Sequence, residues 1–260
     1  MLYGNLSWPE IEALDKDNIV VIAPLASLEQ HGHHLPLLTD AFLATAVAEG
    51  VHAKFPEQAV LLPTLWLGAS DHHLDFPGTV TVCNTDYVKI IQQMAASLVS
   101  AGFWRILFLN GHGGNVAPGE VAITQLANEH DQVNEAYLVL ASYWTVAADA
   151  MHAEQHGMTQ PSLSHACEYE TSLMLHLHRS LVQMERARGD DAEALDLPPG
   201  VRVSGRFNLK SETGALGRPE LATAEKGASL LTAIVDEVST LVETMLHWPL
   251  RELTGPIDPE

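Results

Sequence analysis

Glu29 and His31 stand one residue apart in the run Leu28-Glu29-Gln30-His31-Gly32-His33-His34. In extended backbone, positions i and i+2 point to the same side, so this carboxylate and imidazole can face one ion together. Asp40 follows nine positions after His31, at the expected start of a helix, where an acid is favoured and can fold back over the same spot. Glu, His and Asp make a mixed oxygen and nitrogen donor set, suited to Zn²⁺, Mn²⁺ or Fe²⁺ rather than to an all-oxygen Ca²⁺ cage. With two oxygens, Asp40 can bridge two ions. Taken alone, the stretch is equally a solvated loop of acids and histidines.

Three further stretches carry related chemistry. Asn110-Gly111-His112-Gly113-Gly114-Asn115 follows an apolar run, and its glycines let the backbone turn sharply so that His112 projects into a cleft. Strand, glycine-rich turn and helix is also the layout of a phosphate cradle, but the Lys-Ser/Thr of a P-loop and the full G-x-G-x-x-G spacing are missing. Ser164-His165-Ala166-Cys167-Glu168-Tyr169-Glu170 lies at the mouth of a helix. Asp71-His72-His73 lies on a loop, where the histidines either contact substrate or have no role. Other features carry less. His152 and His156 have helical spacing, but Glu154 falls between them on the far side, which is not HExxH. His176, His178 and Met174 sit in an apolar helix and read as core. Cys167 has no basic neighbour to activate it. No G-x-S-x-G elbow is present.

The elements that must position these groups alternate along the chain. Ile19–Ala23 reads as a buried strand stopped by Pro24, and Asp40–Lys54 as a helix capped by Thr39 or Asp40. Short strands are expected at 60–63, 106–109 and 137–140. Helices are expected at 87–101, from the glycine turn to about Glu129, at 169–178 and at 223–247. Continuous apolar strands separated by amphipathic helices predict an α/β fold: a single domain, residues 1–260, with a mostly parallel central sheet flanked by helices on both faces. In such sheets ligands bind beyond the carboxyl ends of the strands, where the polar clusters fall. Residues 185–218 are rich in Gly, Pro and charge with little periodicity, and are expected to form a long loop serving as lid or assembly element.

Composition narrows the possibilities. The chain has 260 residues, with 13 Lys+Arg against 33 Asp+Glu and a formal net charge of −20, so neither a nucleic-acid partner nor an anionic membrane surface fits. Apolar content is 47%, that of an ordinary globular core. Two cysteines cannot build a disulfide framework, and the first residues have no basic or apolar leader, so a cytoplasmic address is expected. Fourteen histidines outnumber the 13 Lys+Arg, and most are clustered.

Leu-Glu-Gln-His-Gly-x-His-Leu-Pro followed by Asp40, Phe-Pro-Gly-Thr, Asn-Gly-His-Gly-Gly-Asn, His-Ala-x-Glu-x-Glu-Thr-Ser and the stretch Gly214–Gly227 together resemble the creatininase (creatinine amidohydrolase) family in order and spacing. The resemblance implies a hydrolase of a C–N amide bond, of the cyclic amide or formamide class, in which two divalent ions (Zn, Mn or Fe) activate a water, and a homo-oligomer, commonly a hexamer. It implies Glu29, Asp40 and His112 as ligands of one ion, His31 with bridging Asp40 as ligands of the other, His165 as the acid/base residue and Glu170 as the group that orients it. Creatininase itself completes its second ion with a Glu two residues after the turn histidine, where this chain has Gly114. Glu168 is therefore expected to substitute in space for the missing ligand. Trp144 matches one pocket aromatic of creatininase. The other falls on Pro161, which disfavours creatinine as the substrate. The chemistry left open besides is a catalytically inactive oligomeric scaffold of the same fold, or a phosphate-binding enzyme using the glycine turn.

Overall fold

The computed structural model describes residues 1–129, 135–191 and 203–250. Four strands, β1 (Val20–Leu25), β2 (Ala59–Leu61), β3 (Arg105–Asn110) and β4 (Tyr137–Ser142), form one sheet in the order β2-β1-β3-β4 with every pair parallel. The helices are α1 (Trp8–Glu12), α2 (Thr39–Lys54), α3 (Asn84–Ser100), α4 (Val116–Glu129), α5 (Tyr143–Val146), α6 (Ala153–His156), α7 (Glu168–His178) and α8 (Ala224–Leu246). The α/β expectation is met.

Strand alternation decides which helices lie where. Val20, Ile22, Leu107 and Leu109 point to one face, where α2, α7 and α8 cover them. Val21, Ala23, Ile106 and Phe108 point to the other, under α3 and α4. α8 presents Leu230, Ile234, Val238 and Val242, one every four residues, as its buried stripe. Its approach to α7 is unusually close: a Cβ on Gly227 would meet the Ser172 carbonyl oxygen at 1.9 Å, so no other residue fits without separating the helices.

Pro24 does not end β1 as expected; it lies within it, opposite Leu109. Its missing N–H faces the β2 side, beyond the point where β2 has ended at Leu61, and its carbonyl accepts from Leu65 N at 2.9 Å. Leu38, rather than Thr39 or Asp40, occupies the cap position of α2. The Thr39 hydroxyl donates back to Pro36 O, and Asp40 in the first turn points to His31 and His112, beyond the carboxyl ends of β1 and β3.

β2 lies beside β1 on one side, and the chain then crosses over to β3 on the other. Crossovers on opposite faces leave a crevice between the carboxyl ends of β1 and β3, the usual ligand position in an open α/β sheet. Of the 185–218 loop, residues 192–202 lie outside the described residues. The described part returns to the body: the Asp190 carboxylate accepts from Ser211 Oγ, Glu212 N and Thr213 N at 2.7–3.0 Å. Phe207 is buried over the crevice. No described helix is long and apolar enough to cross a membrane.

Candidate metal centre

The crevice collects the expected donors. Glu29 and His31 come from the segment after β1, Asp40 from the first turn of α2 and His112 from the turn after β3. All four side chains are buried. Asp40 divides its carboxylate: Oδ1 lies 3.0 Å from His31 Nε2, and Oδ2 lies 3.0 Å from His112 Nδ1. His112 Nδ1 is also 3.2 Å from Glu29 Oε2. Two donor sets with Asp40 in common result, Glu29–Asp40–His112 and His31–Asp40–Glu170, the donor atoms of each within 4.8 Å of one another. Glu29, His31 and His165 form a third such group.

The glycine turn is built to hold His112. Asn110 Nδ2 donates to His112 O at 2.8 Å and His112 N donates to Asn110 Oδ1 at 3.1 Å. Asn115 ties the same turn to the neighbouring loops through Ala69 N and Ala26 O. A Cβ at Gly114 would lie 2.1 Å from the Ala69 carbonyl oxygen and 2.4 Å from His112 Nε2, so this backbone cannot carry a side-chain ligand there.

Glu168 does not fill the gap. It is fully buried on the opposite side of the first turn of α7, where Lys226 Nζ reaches Oε1 at 2.5 Å and the N–H groups of Thr159 and Gln160 donate to Oε2 at 2.8 and 3.2 Å. Two helical positions apart, roughly 200° around the axis, Glu168 and Glu170 do divide as helical geometry requires, but Glu170 rather than Glu168 takes the side of the donors. Glu170 faces His31 and Asp40, with Oε2 accepting from Ala166 N at 2.5 Å. His165 is oriented instead by Gln30: its Nε2 lies 2.8 Å from Gln30 O and 3.0 Å from Gln30 Nε2, while Nδ1 faces Glu29 Oε1 at 3.6 Å. The turn that presents it passes through Ala166 in the left-handed region, φ 51°, an uncommon conformation for a residue with a Cβ.

His72 and His73 part company. His73 is buried, with Nε2 at 3.3 Å from Glu29 Oε1 and Nδ1 at 2.8 Å from Gln30 Nε2. His72 lines the cavity of about 270 Å³ above the cluster, together with Trp144 on α5, Leu163 and Phe207. Sequence reasoning passed over Gln30, Ser70 and Phe207. Ser70 Oγ donates to Glu29 Oε2 at 2.6 Å, and the Phe207 ring packs 4.5 Å from His73 and 4.7 Å from His165. Gln30 stood between two candidate ligands and Ser70 just before Asp71-His72-His73; Phe207 gave no signal.

The electrostatics follow from burial against pairing. Burial would raise the Glu29 carboxyl, but His112, His73 and His31 hold it far below the usual range. Burial opposes protonation of His31, yet Asp40, Glu170 and Glu29 push it up to about 9. His112 is likewise raised, against burial, by Glu29 and Asp40. Glu170 is pushed up to about 7, chiefly by burial. Burial, then His31 and His73, keep His165 well below the usual histidine range, so its imidazole is neutral.

His31 Nε2 and Asp40 Oδ2 are buried with no hydrogen-bond partner of acceptable geometry. Buried polar atoms are rarely left so, and the surrounding donors are carboxylates and imidazoles with no Lys or Arg among them. The set fits divalent cations.

The arrangement defines a hydrolase-type α/β domain with a buried carboxylate–imidazole centre. The family profile described as creatinine amidohydrolase matches residues 4–242, and the chain belongs to the creatininase family. It is 34% identical over 263 residues to the mycofactocin precursor peptide peptidase of Mycobacterium tuberculosis H37Rv, covering 96% of this chain and 95% of that one. A Zn–Zn creatininase variant superposes with TM-score 0.78 at 26% identity, over 95% of this chain and 98% of that chain. A manganese creatininase superposes with TM-score 0.77 at 26% identity, over 95% and 99%. The protein is thus a creatininase-family amidohydrolase.

Proposed function

We propose that the protein hydrolyses an amide C–N bond with two divalent ions, one held by Glu29, Asp40 and His112, the other by His31, Asp40 and Glu170. The observation that carries this is the divided Asp40 carboxylate, one oxygen toward each histidine. When bound, such ions supply Lewis-acid polarisation of a carbonyl and lower the pKa of a water from about 15.7 to about 7.

The chain's own residues do the rest. Ser70 donates to Glu29 Oε2 and fixes that carboxylate, as outer partners of metal ligands do. Gln30 holds His165 by Nε2, leaving Nδ1 toward the cluster. A neutral imidazole there takes a proton from the attacking water and returns it to the leaving nitrogen, which has to depart as an amine. Trp144, Leu163 and Phe207 cover the reacting groups with apolar surface and reduce access of bulk water. The M. tuberculosis relative is named a precursor peptide peptidase, which supports adding peptides to cyclic amides and formamides as substrates to test. The test has two parts. Elemental analysis is expected to return about two ions per chain, and a panel of ureides, lactams, formamides and short peptides is assayed with Mn²⁺, Zn²⁺ and Fe²⁺ in turn. Absence of hydrolysis across the panel with both ions bound overturns the reading.

A further inference from the structure

The cavity above the cluster is not closed on all sides. A second groove, of about 760 Å³, shares His72 and Gly114 with it and runs outward past Asp71 and Asn84 to Arg206 and Lys210. The two spaces meet where Gly114 presents only backbone. The inner cavity sets Trp144, Leu163 and Phe207 over the carboxylates and imidazoles, whereas the groove carries the cations Arg206 and Lys210 beside Leu74 and Val203.

The charges of the groove are unequal. Asp71 accepts from Thr81 Oγ1 at 3.2 Å, and Arg206 is paired with Asp75 at 2.9 Å. Lys210 has no ion pair among the described residues. Its charge reaches His72: burial first holds that imidazole below the usual histidine range, Glu29 and Asp71 raise it, and His112 and Lys210 lower it. In a chain of net charge −20, an unpaired lysine in a groove that opens onto the candidate centre is a departure from its surroundings. A local cation of this kind draws anionic ligands that the rest of the surface repels.

We infer that the groove beyond Gly114 is a subsite for an extended amide substrate, a peptide rather than a ring or a formamide, and that Lys210 there recognises an anionic group a few atoms from the scissile bond. This rests on the amide-hydrolase reading above. The shape supports extension: the inner cavity takes the groups flanking one amide, and the groove continues from it in one direction with room for several residues. The charge supports specificity, since Lys210 offers three donors and forms no ion pair with a described carboxylate.

The experiment uses the metal-loaded full chain and two matched peptides, acetyl-Glu-Gly-Gly-Glu-amide and acetyl-Gln-Gly-Gly-Gln-amide. Both ends carry the acid, so the direction of binding does not matter. Equilibrium binding at low salt is expected to favour the Glu peptide by roughly fivefold, the upper value for an exposed pair. The preference should shrink at 0.5 M salt. Lys210→Met abolishes the preference and Lys210→Glu reverses it, while the Gln peptide binds all three proteins alike. Equal affinity for the two peptides, failure of either to bind, or a preference that survives Lys210→Met overturns the inference. Cleavage of the Gly–Gly bond is scored separately. Charge recognition without cleavage by any of the three metals would sink the peptide-hydrolase reading and leave the anionic subsite standing.

Discussion

Replacing Glu168 with Gln separates stability from metal binding at one position. The carboxylate is 0% exposed and its partner Lys226 is 19% exposed, with Nζ 2.5 Å from Oε1. Removing one partner of a buried pair costs about 3–5 kcal/mol, because the other charge is left behind. Lys226 keeps the Leu221 carbonyl at 2.9 Å and some water, which puts the loss near the lower end, about 3 kcal/mol. A domain of this size loses roughly 2–4 °C of Tm per kcal/mol, so a drop of about 6–12 °C is expected. Metal content should not change, since Glu168 lies across α7 from the donor set that contains Glu170. Glu170→Gln should show the converse, losing one ion per chain with a smaller change in Tm. Differential scanning calorimetry on the metal-loaded and chelated proteins, with elemental analysis of the same samples, measures both. Loss of an ion from Glu168→Gln with an unchanged Tm would refute the assignment. The double variant Glu168→Gln with Lys226→Met, which leaves no unpaired charge, should recover most of the lost stability.

Asp40→Ala is expected to empty both positions, because each oxygen faces a different histidine; retention of two ions by elemental analysis would show that Asp40 bridges nothing. His165→Ala should keep both ions and lower turnover by ~10²–10⁴ in steady-state assays, whereas loss of metal would make His165 a ligand. In the metal-free protein, burial opposes protonation of His31, but Asp40, Glu170 and Glu29 push it from the ordinary histidine value of 6.5 up to about 9. Its contribution to stability is therefore full below about pH 6.5 and lost as pH rises through about 9, so the Tm of chelated protein should fall between pH 7 and 9. A flat or rising Tm over that window contradicts the His31–Asp40 pairing.

Much of the fold was legible because each strand and helix carries its own signal. The β-branched run before Pro24 and the four-residue stripe of α8 need no partner to be seen. The donors were legible for a different reason: Glu29, His31, Asp40 and His112 lie close to strand ends, where backbone geometry alone brings them to the crevice. Which of Glu168 and Glu170 joins the donors was not legible. Spacing shows that the two diverge by about 200° on a helix, but which faces the sheet depends on Lys226, 58 residues away on α8. Gln30 and Phe207 were missed on the same grounds, since their roles arise from contacts with His73 and His165 rather than from local pattern.

Gly227 sets a condition on when the proposed donor set around Glu170 is complete. Glu170 rides on α7, and α7 is seated by α8 pressing, at Gly227, on the backbone at Ser172. The same helix brings Lys226, which holds Glu168 and so sets the rotation of the turn that carries Glu170. On the ribosome, α8 emerges after every segment that bears a donor. A nascent chain lacking it holds Glu29, Asp40 and His112 in the chain already made, with nothing to seat the last carboxylate. On the proposed ligand set, the His31–Asp40–Glu170 site is therefore complete only after α8 has packed, whereas the residues of the other set are all present before it.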